Sequence, residues 1–168
     1  TNPSVKSEVI DGIGYMRISR FGNDTGSLTE EGARMFKEKG VKGVVLDLRG
    51  NGGGYLTAAQ EVSSVWMRNK VVTRQKTDGK VTDTLRTGSS PILEGMPTVV
   101  LVDGGSASAS EIVAGALFDN GAAKLVGEKT FGKGSVQTVE KLADGGELKV
   151  TIAKWYTPND KNITKEGI

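Results

Sequence analysis

The sequence predicts an α/β layered core, and three observations carry that reading. Short apolar runs, Val44 to Leu48 and Thr98 to Val102, each lead through a glycine-bearing loop into a segment of helical spacing. Strand-like and helix-like segments alternate in the order β-α-β-α-ββ-β-α-β-ββ. Two turn signals, Thr77-Asp78-Gly79 and Asp144-Gly145-Gly146, mark β-hairpins, the second near the C-terminus.

The elements follow from local pattern. Gly14 to Phe21 alternates and reads as a strand. Ser27 to Lys39 reads as a helix: Leu28, Met35 and Phe36 share a face, Glu30 and Glu31 fall in its first turn, and Gly40 ends it. The Val44 strand runs into Arg49-Gly50-Asn51-Gly52-Gly53-Gly54, a loop whose backbone can approach a ligand closely. Tyr55 to Met67 is helical, with Leu56, Ala59, Val62 and Trp66 on one side. Val71 to Lys76 and Lys80 to Arg86 form the first hairpin. Ser108 to Phe118 is a helix closed by Asn120-Gly121, and Lys124 to Val126 is a short strand. Val136 to Leu142 and Glu147 to Tyr156 form the second hairpin. The first ten residues and the tail beyond Pro158 read as loose ends.

Composition narrows the function. At 168 residues the chain reads as one domain, long enough to bury a core. A net charge of +2 gives no footprint for nucleic acid or an anionic membrane, and no apolar run is long enough to span a bilayer. With no cysteine and no histidine, thiolate chemistry, disulfides and the usual metal ligands are excluded, and neither cofactor nor metal is expected. The chain opens at Thr1 rather than at a methionine and reads as a processed or excised piece.

Two segments carry candidate chemistry. In Ser106-Ala107-Ser108-Ala109-Ser110, the middle serine stands where a strand gives way to a helix. Unpaired amides and the helix dipole there favour a developing negative charge. Ser108 followed by Glu111 also fits the capping box, so the same serine is accounted for as a helix cap. Lys133 is framed by Gly132 and Gly134, which suggests a backbone on an unusual path holding one long side chain. Without histidine, a lysine, a carboxylate or nothing must take the serine's proton, and a lysine in that role must be neutral, which requires removing it from water. A solvated lysine in a turn is the ordinary alternative. Gly52-Gly53-Gly54 could offer an amide to an oxyanion or be a plain tight turn. Gly127 to Lys133 matches the G-x-x-x-x-G-K phosphate loop, but Gly134 stands where a serine or threonine is needed, and an alternating strand pattern follows where a helix is needed.

Together these segments resemble the carboxy-terminal processing, or tail-specific, proteases. The stretch Gly105 to Leu117, then Asp119-Asn120-Gly121, then Val126 to Gln137, is similar to that family in order and spacing. Asp47 to Gly54 is similar to its upstream glycine loop, and Trp155 to Asn159 with Gly167-Ile168 to its C-terminal signature. The resemblance implies a crotonase- or ClpP-like α/β core. It implies Ser108 as nucleophile and Lys133 as general base, with Gln137 orienting the lysine and Asp119 where some members carry an accessory acid. Oxyanion donors would be the amides of Ala109 and of Gly53 or Gly54. It further implies protein or peptide substrates engaged through their C-termini, and an extracytoplasmic setting such as the periplasm, cell envelope or thylakoid lumen. A PDZ domain is expected in the parent protein, this chain being a protease core truncated at both ends. A second reading, motivated by those missing flanks, is a catalytically silent fragment serving as a scaffold or interaction domain.

Overall fold

The computed structural model describes residues 2–168. Its elements run β1 (Val5–Ile10), β2 (Ile13–Ile18), α1 (Thr25–Lys39), β3 (Gly43–Asp47), α2 (Leu56–Trp66), β4 (Val71–Thr77), β5 (Lys80–Arg86), β6 (Thr98–Val102), α3 (Ala109–Asp119), β7 (Lys124–Gly127), β8 (Ser135–Lys141) and β9 (Glu147–Tyr156). The α/β expectation holds. One sheet has the order β1-β2-β3-β6-β7, and a second has β5-β4-β9-β8. In the first sheet, β2, β3, β6 and β7 are parallel and β1 pairs antiparallel with β2.

Alternation along the parallel strands divides the five-stranded sheet into two faces. Met16, Ile18, Val44, Leu46, Val100 and Val102 point into the core. There they meet Ala33 and Phe36 of α1, Val62 and Trp66 of α2, and Ile112, Val113 and Leu117 of α3. The other face carries Tyr15, Arg17, Val45, Asp47, Val99 and Leu101, aligned across β2, β3 and β6 by register. Wholly buried Asp47 is held there by Arg49, Arg17 and the Tyr15 hydroxyl.

Three expectations are corrected. The first ten residues are not a loose end: Val5 to Ile10 pairs residue for residue with β2, and Ser4 N–H donates to Asp24 at 3.0 Å. Polar Lys6 and Glu8 disguise the strand, because their face of an edge strand meets solvent. The tail beyond Pro158 is also ordered, with Ile163 only 1% exposed and Asn162 bridged to Tyr156. Finally, α1 begins at Thr25 rather than Ser27, which moves Glu30 and Glu31 out of its first turn. Gly40 ends that helix in the left-handed region, as its sequence position suggests.

Candidate active site

Three loops leave the C-terminal ends of the adjacent parallel strands β3, β6 and β7, which is where open α/β sheets build their sites. The first carries the glycines, the second Ser108 and the third Lys133.

The first loop is organised by Asn51, which is fully buried. Its Nδ2 donates to Ile18 O at 2.8 Å, and its Oδ1 accepts from Gly53 N–H at 2.9 Å. The loop then threads past Phe21, which bridges Gly54. A Cβ on Gly54, at φ +145°, would stand 2.1 Å from Phe21 O, so this position admits only glycine. A Cβ on Gly53 would meet Ser108 Cβ at 2.7 Å, which places the loop directly against the serine. Gly53 N–H is already committed to Asn51, whereas the amides of Gly54 and Ala109 have no hydrogen-bond partner among the described residues.

The second loop explains the alternating serines. Ser106 Oγ donates to Leu48 O at 2.8 Å and Ser110 Oγ to Asn51 O at 2.9 Å, both buried. Ala107 N–H adds a bond to the same Asn51 carbonyl at 3.0 Å. The outer serines therefore staple the second loop to the first, and the alanines allow the close approach. Ser108 is the half-buried one, and its hydroxyl donates to no group among the described residues. Its backbone lies at φ +56°, ψ −117°, a strained conformation for a residue with a Cβ. Asp103 supports the turn, accepting from Gly50 and Gly105 amides at 2.9 Å each, and the Gly50 bond holds its carboxyl below the usual range.

The capping box is present, so Ser108 is a helix cap as well as the candidate nucleophile. Its glutamate does more than cap. Glu111 Oε1 accepts from the Ser108 amide at 3.0 Å and from the Lys133 amide at 2.9 Å. One oxygen atom thus joins the backbones of two residues that lie far apart in the chain.

The side chains are not joined in the same way. Lys133 is exposed, and no hydrogen bond among the described residues links Ser108 Oγ, Lys133 Nζ and Gln137. Gln137 lies on β8, opposite Thr151, with its side chain exposed. The removal from water that a neutral lysine requires is not supplied by the described residues around it. Asp119 closes α3 at the end opposite Ser108, roughly 16 Å along the axis at 1.5 Å per residue. Its Oδ2 accepts from Asn159 N–H at 2.9 Å, anchoring the turn after β9. Sequence reading missed Asn51 as organiser of the glycine loop; its place among glycines was the available signal. Among the described residues no group of three or more acidic side chains could hold a metal, and no helix is long and apolar enough to cross a membrane.

Known proteins share this sequence pattern and fold. Residues 12–168 match Peptidase family S41. The carboxyl-terminal-processing protease of Synechocystis sp. is 41% identical over 160 residues, covering 93% of this chain and 36% of that protein. The chloroplastic carboxyl-terminal-processing peptidase 2 of Arabidopsis thaliana is 40% identical over 157 residues, covering 93% and 30%. The chain therefore spans about a third of the length of these curated relatives. The solved photosystem II D1 C-terminal processing protease superposes with a TM-score of 0.92 at 34% identity, over 99% of this chain and 47% of that one. With the family match running over residues 12–168 and the fold superposing over 99% of the chain, the chain belongs to peptidase family S41.

Proposed function

We propose that this chain is the core of a serine endopeptidase that hydrolyses peptide bonds in C-terminal or unstructured regions of proteins. The observation that carries the proposal is Ser108 itself: a strained, half-buried serine at a helix N-terminus, its hydroxyl donating to no group among the described residues, next to amides at Gly54 and Ala109 that have no partner among them either. Ser108 Oγ attacks the scissile carbonyl while the Lys133 amine takes its proton. The amides of Gly54 and Ala109 hold the oxyanion; Gly53 is disfavoured for that role because its amide serves Asn51. Lys133 then returns the proton to the leaving amine, and water, activated by the same amine, releases the acyl group. A peptide laid across the Lys133 loop would exclude the water that reaches the amine in the free chain, and Gln137 would orient it from β8. Asp119 supports the fold of the C-terminal turn rather than the chemistry.

Family membership supports this reading over a silent scaffold. The names of relatives, carboxyl-terminal-processing proteases, support action at substrate C-termini, while the extracytoplasmic setting and the PDZ domain of the parent protein rest on the family resemblance alone. Digestion of an unfolded protein tests the chemistry. Ser108→Ala and Lys133→Ala are each expected to lower the rate by at least about 1,000-fold. Either variant retaining full activity would overturn the assignment.

A further inference from the structure

Glu111 is completely buried, and no ion pair to it is formed among the described residues. A buried carboxyl group survives only when its oxygens are satisfied. Here they accept four bonds. Oε1 takes the amides of Ser108 and Lys133; Oε2 takes the Gly132 amide at 2.8 Å and the Thr130 hydroxyl at 2.7 Å. The N-terminus of α3 adds a favourable field. A capping box needs one of these contacts. Three of the four come instead from residues 130–133, a segment that the helix does not need for its cap.

Thr130 extends the connection outward. Its Oγ1 accepts from Ile168 N–H at 2.7 Å, so its own proton is free for Glu111. Thr130 N–H donates to Ile168 O at 3.2 Å, and Lys165 N–H donates to Gly132 O at 2.8 Å. A Cβ on Gly132 would stand 3.0 Å from the Lys165 carbonyl carbon, and one on Gly134 2.6 Å from Thr164 N. The glycines around Lys133 are thus explained by the close crossing of residues 163–168.

We propose that Glu111 is a positioning residue that sets the spacing between nucleophile and base, and that Thr130 couples this clamp to the 163–168 segment. The proposal rests on the Ser108–Lys133 reading. Glu111 touches no reacting atom; it acts by holding the backbone of both residues on one side chain. A glutamine cannot replace it, because its NH2 group would face donors whichever way the amide lies.

Steady-state cleavage of an unstructured fluorogenic peptide by the wild type and by Thr130→Val, Thr130→Ser, Glu111→Gln and Ser108→Ala tests this. The expected result is a kcat lowered about 100-fold in Thr130→Val and Glu111→Gln, with KM within about twofold. Thr130→Ser should restore most of the rate. Valine keeps the shape of threonine, so this variant serves even where Glu111→Gln fails to fold. In the 168-residue chain, amide exchange at Lys133 is expected to rise at least about tenfold in Thr130→Val. Three results overturn the proposal: an unchanged kcat in Thr130→Val, a serine variant no better than the valine, or a loss confined to KM. An active Ser108→Ala would overturn the underlying site instead, whereas an inactive one beside a normal Thr130→Val removes only the clamp.

Discussion

Ser108 holds a backbone conformation that costs roughly 1–3 kcal/mol for a residue with a side chain. That cost leads to a prediction. Ser108→Gly should melt several degrees above Ser108→Ala while both are inactive, because glycine relieves the strain and alanine retains it; paired thermal scans check this. Asp47 gives a second. Burial alone would raise its carboxyl, but Arg49, the Tyr15 hydroxyl and the Arg49 amide bring it down to about 2 from 3.8. A depressed folded value means stability present above about pH 4 and lost as pH falls toward 2, amounting to roughly 2 kcal/mol. The wild type should therefore lose stability steeply across that window, whereas Asp47→Asn should be weaker at neutral pH and flatter in acid. Denaturant titrations at stepped pH would show both. Burial and the nearby Asp47 push the Tyr15 hydroxyl up, in keeping with its role as a donor to that carboxylate. At this scale the sequence was uneven. The glycines were legible because small residues cluster where backbones meet, whereas Ser108 and Lys133 stood out over a helix cap and a turn lysine only through the family resemblance. Thr130 was not legible, since nothing local in Glu128-Lys129-Thr130 signals a partner at Ile168.

Among the elements, apolar runs and turn residues were reliable guides. The Asp78-Gly79 turn forms with both residues at positive φ, as a tight hairpin requires. Strand β3 and helices α2 and α3 fall within a residue or two of their expected bounds. Strand β1 escaped because four of its six residues face water at a sheet edge. The loop after β3 is the element most sensitive to change. Gly54→Ala would drive a methyl group into Phe21 O and break the bridge that shapes the loop. It is expected to lower kcat/KM at least about 100-fold and to reduce Tm, measured by peptide cleavage and thermal scanning. Ala58→Gly, in the adjoining helix, should cost about 2 kcal/mol, the helix penalty of glycine plus the loss of a buried methyl group, and leave the rate intact.

On the scale of the whole molecule, three loops from the C-terminal ends of adjacent parallel strands converge while the segment at 163–168 packs against the third of them. The first half of that statement could be read from the order of strands and helices. The second could not, because a tail rich in lysine, asparagine and threonine carries no periodicity to show where it packs. Its anchor is Ile163, buried at 1% exposure, with Ile168 lying against Gly115 of α3. Replacing Ile163 with alanine is expected to cost about 2–4 kcal/mol and to lower Tm by about 5–10 °C.

The position of that segment also bears on when the protein becomes dangerous. A ribosome makes Ser108 and Lys133 before it makes Ile163 to Ile168. A nascent chain halted between them would contain the proposed nucleophile and base but lack the backbone that holds Thr130 on Glu111. Under the proposed chemistry, hydrolytic power would then await the arrival of residues 163–168.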